Sequence, residues 1–174
     1  GMPLATQLSI VRQVGEALQY AHANKVVHRA LTPRSVWVRP VPGTRGDVKV
    51  RVGGWEGAGI LDPANLTRTA VPGVTALHDA DGRAGNETEE GGFGAPEGQW
   101  SPTADRARID VFGLGALAFY VLSSRAPASG RGELTQRLHT QDGLDLAVEL
   151  PQVSTELRDL VLRATRPAPT KRTG

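Results

Sequence analysis

The chain has 174 residues with 39% hydrophobic and 22% charged residues, which predicts one globular domain with a sizeable buried core. A net charge of +2 argues against a strong electrostatic field for nucleic acid or acidic membranes, and the absence of cysteine excludes disulfides and thiolate metal sites. No apolar run approaches the roughly 18 residues of a membrane span, and no signal-peptide pattern is present, so we expect a cytoplasmic protein.

The first predicted element is an amphipathic helix over residues 4–23. Its apolar residues recur at spacings of three and four, as on one face of a helix. They are Leu8, Val11, Val14, Ala17, Leu18 and Ala21.

Two short strands are predicted next. Residues 36–38 are apolar, and residues 48–52 alternate strictly between valine and a basic residue, which is typical of a half-buried strand. The prolines and glycines between them favour a turn, so the two strands should form a hairpin.

The second half of the chain should be helical. From Asp110 to residue 124 apolar residues lie on nearly every side, which predicts a buried central helix. Two further helices are expected within residues 133–172, over 133–140 and 155–164, with Ser154 as the N-cap of the last.

Residues 26–38 resemble the catalytic loop of protein kinases, in which His-Arg-Asp is followed by four residues and Asn. His28, Arg29, Leu31 and Pro33 and the apolar run 36–38 match that loop. The resemblance places Ala30 at the catalytic Asp, Ser35 at the magnesium-binding Asn and Thr32 at a lysine near the transferred phosphate.

The next motif also lies at the family's position but lacks the family's magnesium-binding residue. Gly54, Trp55 and Glu56 stand where the family has Asp-Phe-Gly, whose Asp binds the magnesium ion of ATP. Trp55 retains an aromatic ring for packing. Glu56 is either a solvated side chain, which we favour, or a substitute ligand.

Three later motifs are similar to the family in order and position. Residues 54–97 match the activation segment and end in Ala95-Pro96-Glu97; Asp110 opens the buried helix, and residues 169–172 match Pro-x-x-Arg. The resemblance implies structural roles: Asp110 would bind the backbone of the loop, His28 would pack beneath it, and Glu97 would pair with Arg172.

Arg29 has two interpretations. In the family this arginine often pairs with a phosphorylated residue of the activation segment, and the chain offers possible acceptors or fixed charges there. Alternatively it bonds nearby backbone carbonyls, which we favour. The residues in question are Thr67, Thr69, Thr75, Thr88, Glu87, Glu89 and Glu90.

Trp37 stands where the family has an aliphatic residue on the floor of the adenine pocket. Alternation turns it away from Val36 and Val38, so the indole would face the cleft and block the purine. Its buried N–H would then need an acceptor. The alternative is that the strand shifts and Trp37 belongs to the core.

Together the motifs predict a mainly α fold over residues 1–174, similar to the C-lobe of a bacterial-type Ser/Thr kinase. The glycine-rich loop, strand lysine and helix glutamate of an N-lobe are absent from this sequence. The hypothesis is a pseudokinase with no catalytic residue, cofactor or metal, and neither ATP nor magnesium is expected as a ligand. It would bind a protein partner or another domain of its own polypeptide in a bacterial signalling or defence protein.

Neither nucleic acid nor membrane is expected as a partner, and the C-terminal arginines are interpreted as a solvated face. The alternatives are a divergent active kinase and a nucleotide sensor, both needing an N-lobe outside this sequence.

Overall fold

A computed structural model describes residues 1–60, 92–98 and 105–172. The described part of the chain is mainly helical. The helices are α1 (Leu4–Ala23), α2 (Arg106–Ser123), α3 (Arg131–Gln141) and α4 (Thr155–Ala164). The strands are β1 (Val26–Val27), β2 (Val36–Pro40), β3 (Val48–Val52) and β4 (Gly59–Ile60). No described helix is long and apolar enough to cross a membrane.

The strands form two small antiparallel sheets. β2 pairs with β3 in a register that places Val36 opposite Val52 and Pro40 opposite Val48, so the predicted hairpin is present. β1 pairs with β4, with Val27 opposite Gly59. These two sheets place the two ends of segment 28–35 beside residues 53–59.

Helix α2 is the centre of the core. Phe112, Ala116 and Phe119 are fully buried and pack against α3, α4 and the segment around Phe93. Leu117, Ala118 and Leu122 of the same helix are also buried, whereas Val111, Leu114 and Val121 are only partly buried. The helix begins at Arg106, four residues before the predicted start, because the Asp105 side chain caps it by accepting from the Arg108 N–H.

Close helix packing depends on Gly115. A Cβ atom at this position would lie 2.7 Å from the Thr165 side chain and 2.8 Å from the Ala164 side chain, so only glycine lets α2 and α4 approach this far. Thr165 is fully buried, and its hydroxyl accepts from the Leu144 N–H at 2.8 Å. This bond ties the segment after α3 to the end of α4.

A second core cluster lies under the hairpin. Val14 and Leu18 of α1 pack with Leu31 and Leu117, and the inward-facing side chains of the hairpin complete the cluster. Gln13 of α1 holds the outer edge of β3: its amide accepts from the Val50 N–H at 3.1 Å and donates to the Val48 carbonyl at 2.9 Å. The hairpin is therefore fixed on α1, with its other face directed away from the core.

Candidate functional site

The candidate site is segment 26–38, and Asp110 holds its start. The Asp110 carboxylate, 1% exposed, accepts from the His28 N–H at 2.7 Å and from the Arg29 N–H at 2.6 Å. His22 Nε2 lies 2.8 Å from the same carboxylate. The structure thus brings Asp110 to the backbone of the loop, at the place the resemblance implies. His22, at the end of α1, was not predicted to take part.

His28 lies fully buried beneath the loop. Its Nε2 atom is 2.7 Å from the Gly53 carbonyl oxygen, and the Ala30 N–H donates to its Nδ1 atom at 3.3 Å. Because a carbonyl only accepts and an N–H only donates, a neutral imidazole protonated at Nε2 satisfies both contacts. The Trp55 ring meets the His28 ring edge-on at a centroid distance of 4.5 Å, and the Trp55 indole N–H donates to the Val52 carbonyl. His28 thereby joins the loop to the Gly54-Trp55-Glu56 segment.

Ser35 uses its hydroxyl inside the loop. The Oγ atom donates to the Ala30 carbonyl at 3.3 Å and accepts from the Thr32 N–H at 3.4 Å. It closes a single turn of 3₁₀ helix over Pro33–Ser35. Thr32 itself lies beside this turn, at the edge of a surface cleft.

Gly54 faces the same hydroxyl. Its φ of 75° lies in the left-handed region, and a Cβ atom here would be 3.2 Å from Ser35 Oγ. Ala30 offers only a methyl group, and Gly54 no side-chain oxygen. Magnesium in kinase sites is bound by carboxylate, amide and phosphate oxygens, so the residues at positions 30, 35 and 54 do not fit a magnesium–ATP group.

Arg29 is buried in an unusual setting. It is 8% exposed, has a φ of 73°, and its Nε atom has no hydrogen-bond partner among the described residues. Burial lowers the pKa of Arg29, and the positive charge of Arg106 lowers it further, whereas Asp110 raises it. Arg106 is also 8% exposed, so the two arginines that repel each other electrostatically are both buried residues. No spacing pattern in the sequence indicated Arg106. The possible acceptors between Thr67 and Glu90 lie outside the described residues.

The structure also brings Glu97 and Arg172 together. The Arg172 guanidinium donates to Glu97 Oε1 at 2.5 Å and to Oε2 at 2.8 Å, and its side chain has no exposed surface. The central guanidinium carbon of Arg172 lies 4.9 Å from the centroid of the Phe112 ring, so the group stacks over that ring. This bidentate pair ties residues 92–98 to the C-terminal end of the described chain.

Trp37 lies on the outer face of the hairpin and is 58% exposed. Val36 packs inward, whereas Val38 is 41% exposed. The alternative that places Trp37 in the core is therefore wrong, because β2 keeps its register with β3. The residue as a whole is more than half exposed, so the premise of a buried indole does not hold. Whether Trp37 blocks a purine stays a prediction.

A cleft of about 430 Å³ opens beside the loop. Thr32, Pro33 and Arg34 form one wall, and Phe93 and Tyr120, whose rings meet edge-on at 5.8 Å, form the other. Within the described residues, no group of three or more His, Asp or Glu side chains could hold a metal ion.

No family model matches this chain. Among curated proteins, it is similar to the "Probable kinase PglW" of Streptomyces coelicolor, with 31% identity over 95% of this chain and 11% of the relative. It is 29% identical over 99% of its length to "Serine/threonine-protein kinase Pkn1" of Myxococcus xanthus, covering 23% of that protein. It is 30% identical over 77% of its length to "Serine/threonine-protein kinase PknA" of Mycobacterium tuberculosis, covering 26%. The chain therefore spans about a quarter or less of the length of these relatives.

Proposed function

Because this chain belongs to the protein kinase-like family, of the bacterial Ser/Thr type, we propose that it is a catalytically inactive region that works by binding protein. The observation that carries the proposal is the chemistry of three positions. Ala30, Ser35 and Gly54 supply a methyl group, an internally bonded hydroxyl and no side chain where phosphoryl transfer needs a base and two metal ligands.

The contacts that maintain the fold support the same proposal. Asp110 retains its bonds to the loop backbone, and Glu97 retains its bidentate pair with Arg172. A buried charge left without its partner is costly, so both contacts stabilise the fold without taking part in a reaction. The residues that hold the loop match the kinase motifs, while the residues used only for the reaction do not.

The cleft beside Thr32 supports a binding role. It is bounded by Phe93, Tyr120 and Pro33, so it offers an apolar surface next to the loop. Aromatic and apolar side chains around a concave surface are common features of protein-binding sites. The partner is a protein or another domain of the same polypeptide in a bacterial signalling or defence protein, in the cytoplasm, and we do not expect nucleic acid or membrane binding.

The second candidate is a divergent active kinase, favoured by the similarity to relatives that are named as kinases. It would use Ser35 or Glu56 as a substitute ligand. A third candidate is a nucleotide sensor, which would bind ATP without transferring phosphate. Transfer of labelled phosphate from ATP tests for the active kinase. A nucleotide-dependent rise in melting temperature without transfer would identify the sensor. Both measurements need a longer protein that includes an N-lobe, with Trp37→Leu as the variant that reopens the purine position.

A further inference from the structure

The outer face of the β2–β3 hairpin carries one aromatic ring and three cations. Side chains alternate between the faces of a strand, so Trp37 and Arg39 of β2 share a face with Lys49 and Arg51 of β3. The register places Trp37 opposite Arg51 and Arg39 opposite Lys49. All four side chains are exposed. We name this set, Trp37, Arg39, Lys49 and Arg51, the hairpin face.

Gly53 fixes the position of the indole. A Cβ atom at Gly53 would lie 2.2 Å from Trp37 Cζ3 and 2.8 Å from Cη2, so the ring edge lies directly on the glycine backbone. The ring is held there while 58% of the residue remains exposed. An aromatic ring that already packs along one edge loses little further conformational entropy on binding, and tryptophan is enriched among residues that dominate protein interfaces.

The cations of this face are not neutralised within the described chain. Arg39 and Lys49 lie directly opposite each other, and like charges in that position destabilise a sheet. No ion pair joins a carboxylate to Arg39, Lys49 or Arg51 among residues 1–60, 92–98 and 105–172. The face therefore presents a positive charge that an anionic partner would relieve.

We propose that the hairpin face binds an acidic protein segment that carries an apolar or aromatic side chain. Carboxylates of the segment face the three cations, and its apolar side chain covers the Trp37 ring. Such charge complementarity raises the association rate and orients the partner. The inference rests on the proposed protein-binding function and assigns it a surface and a partner chemistry.

Single-stranded nucleic acid fits this face less well. Its binding sites combine a positively charged groove with several aromatic rings on which successive bases stack. The hairpin face is a flat surface on strands of five residues with one indole. Three cations neutralise few phosphates, and affinity for nucleic acid at physiological salt depends on that number.

Fluorescence anisotropy with a labelled glutamate-rich peptide containing one central phenylalanine tests the proposal on the purified chain. A lysine-rich peptide and oligothymidylate of equal length are the comparison probes. We expect the acidic peptide to bind at low salt. We expect Trp37→Ala and the triple variant Arg39→Glu/Lys49→Glu/Arg51→Glu each to weaken binding by about tenfold or more. The milder triple variant Arg39→Gln/Lys49→Gln/Arg51→Gln should weaken it in the same direction.

The matched control is the triple variant Lys25→Glu/Arg125→Glu/Arg163→Glu. It has the same change in net charge at exposed cations outside the hairpin, so it should weaken binding by less than about twofold. Melting curves establish that each variant is folded. Equal losses in the two glutamate triple variants, or no binding of the acidic peptide by the unmodified chain, would overturn the proposal. Tighter binding of oligothymidylate through the same four residues would assign the face to nucleic acid instead.

The result is independent of the catalytic question. If the acidic peptide does not bind and no phosphate is transferred, the proposed binding surface is refuted and the proposed inactive kinase-like function stands. Phosphate transfer by a longer protein would refute the inactive function and leave the peptide result intact.

Discussion

Replacing Glu97 by alanine should destabilise the fold more than any change to an exposed ion pair. The substitution removes the carboxylate from a guanidinium group with no exposed surface. The Arg172 guanidinium also donates to the carbonyls of Arg166, Pro167 and Arg108, so it should stay in place and keep its charge buried. Breaking a buried pair from one side costs about 3–5 kcal/mol. The Glu97 side chain is 14% exposed, so water can partly replace it, and we expect a cost near the lower limit, about 3 kcal/mol.

Urea unfolding at neutral pH measures this cost, and the pair Arg12–Glu16 supplies the control. Both of those side chains are more than half exposed and lie one helical turn apart on α1. Glu16→Ala should therefore cost only about 0.3–0.5 kcal/mol. A double-mutant cycle with Glu97→Ala and Arg172→Ala then isolates the pair, and the double variant should cost less than the sum of the singles.

Two results would refute the reasoning. If Glu97→Ala costs no more than Glu16→Ala, the pair does not form in solution. If the losses from Glu97→Ala and Arg172→Ala add to within about 0.5 kcal/mol, the two side chains do not interact, and the cost of Arg172→Ala comes from its packing on Phe112.

Three further perturbations test other contacts. Asp110→Asn should lower the free energy of unfolding by roughly 3 kcal/mol, because an amide NH₂ would face the backbone N–H of His28 or Arg29. Urea unfolding measures this loss, and a value below about 1 kcal/mol would contradict these contacts. The Arg158 guanidinium holds the pKa of Asp145 below its usual value. A lowered pKa in the folded state stabilises at neutral pH, and this contribution is lost as the pH falls below about 4. Asp145→Asn should therefore be less stable than the unmodified chain at neutral pH and equally stable in acid; a constant difference would count against the ion pair. Lys49→Glu should raise the free energy of unfolding by about 0.5 kcal/mol, since it converts a like-charged pair with Arg39 into an opposite one, and a fall in melting temperature would show that the two side chains do not meet.

Spacing in the sequence predicted the elements whose burial is one-sided. Helix α1 and strand β3 each have one apolar face, so the period of their apolar residues indicated both their type and their inward side. Helix α2 is buried on most sides, so its pattern could not indicate which residues lie deepest or that the helix begins at Arg106.

The sequence predicted only part of the candidate site, because some of its contacts depend on a local turn and on tertiary packing. Motif positions placed Ala30, Ser35 and Gly54 together, but the internal bonds of Ser35 depend on the turn that Pro33 opens. The burial of Arg106 beside Arg29 is set by tertiary contacts of residues 77 positions apart, and a charged residue at a helix start ordinarily predicts exposure.

Phosphate transfer from labelled ATP, with magnesium or manganese, tests the central claim most directly. The assay uses the purified chain and a longer protein that includes an N-lobe, each beside its variants Ala30→Asp and Ser35→Ala. We expect no transfer by the chain, and none that depends on this site in the longer protein. Ala30→Asp alone should not create activity, because Ser35 and Gly54 still leave the metal without ligands. Transfer by the unmodified protein that Ser35→Ala abolishes would contradict the account, since it would establish Ser35 as part of a working catalytic site.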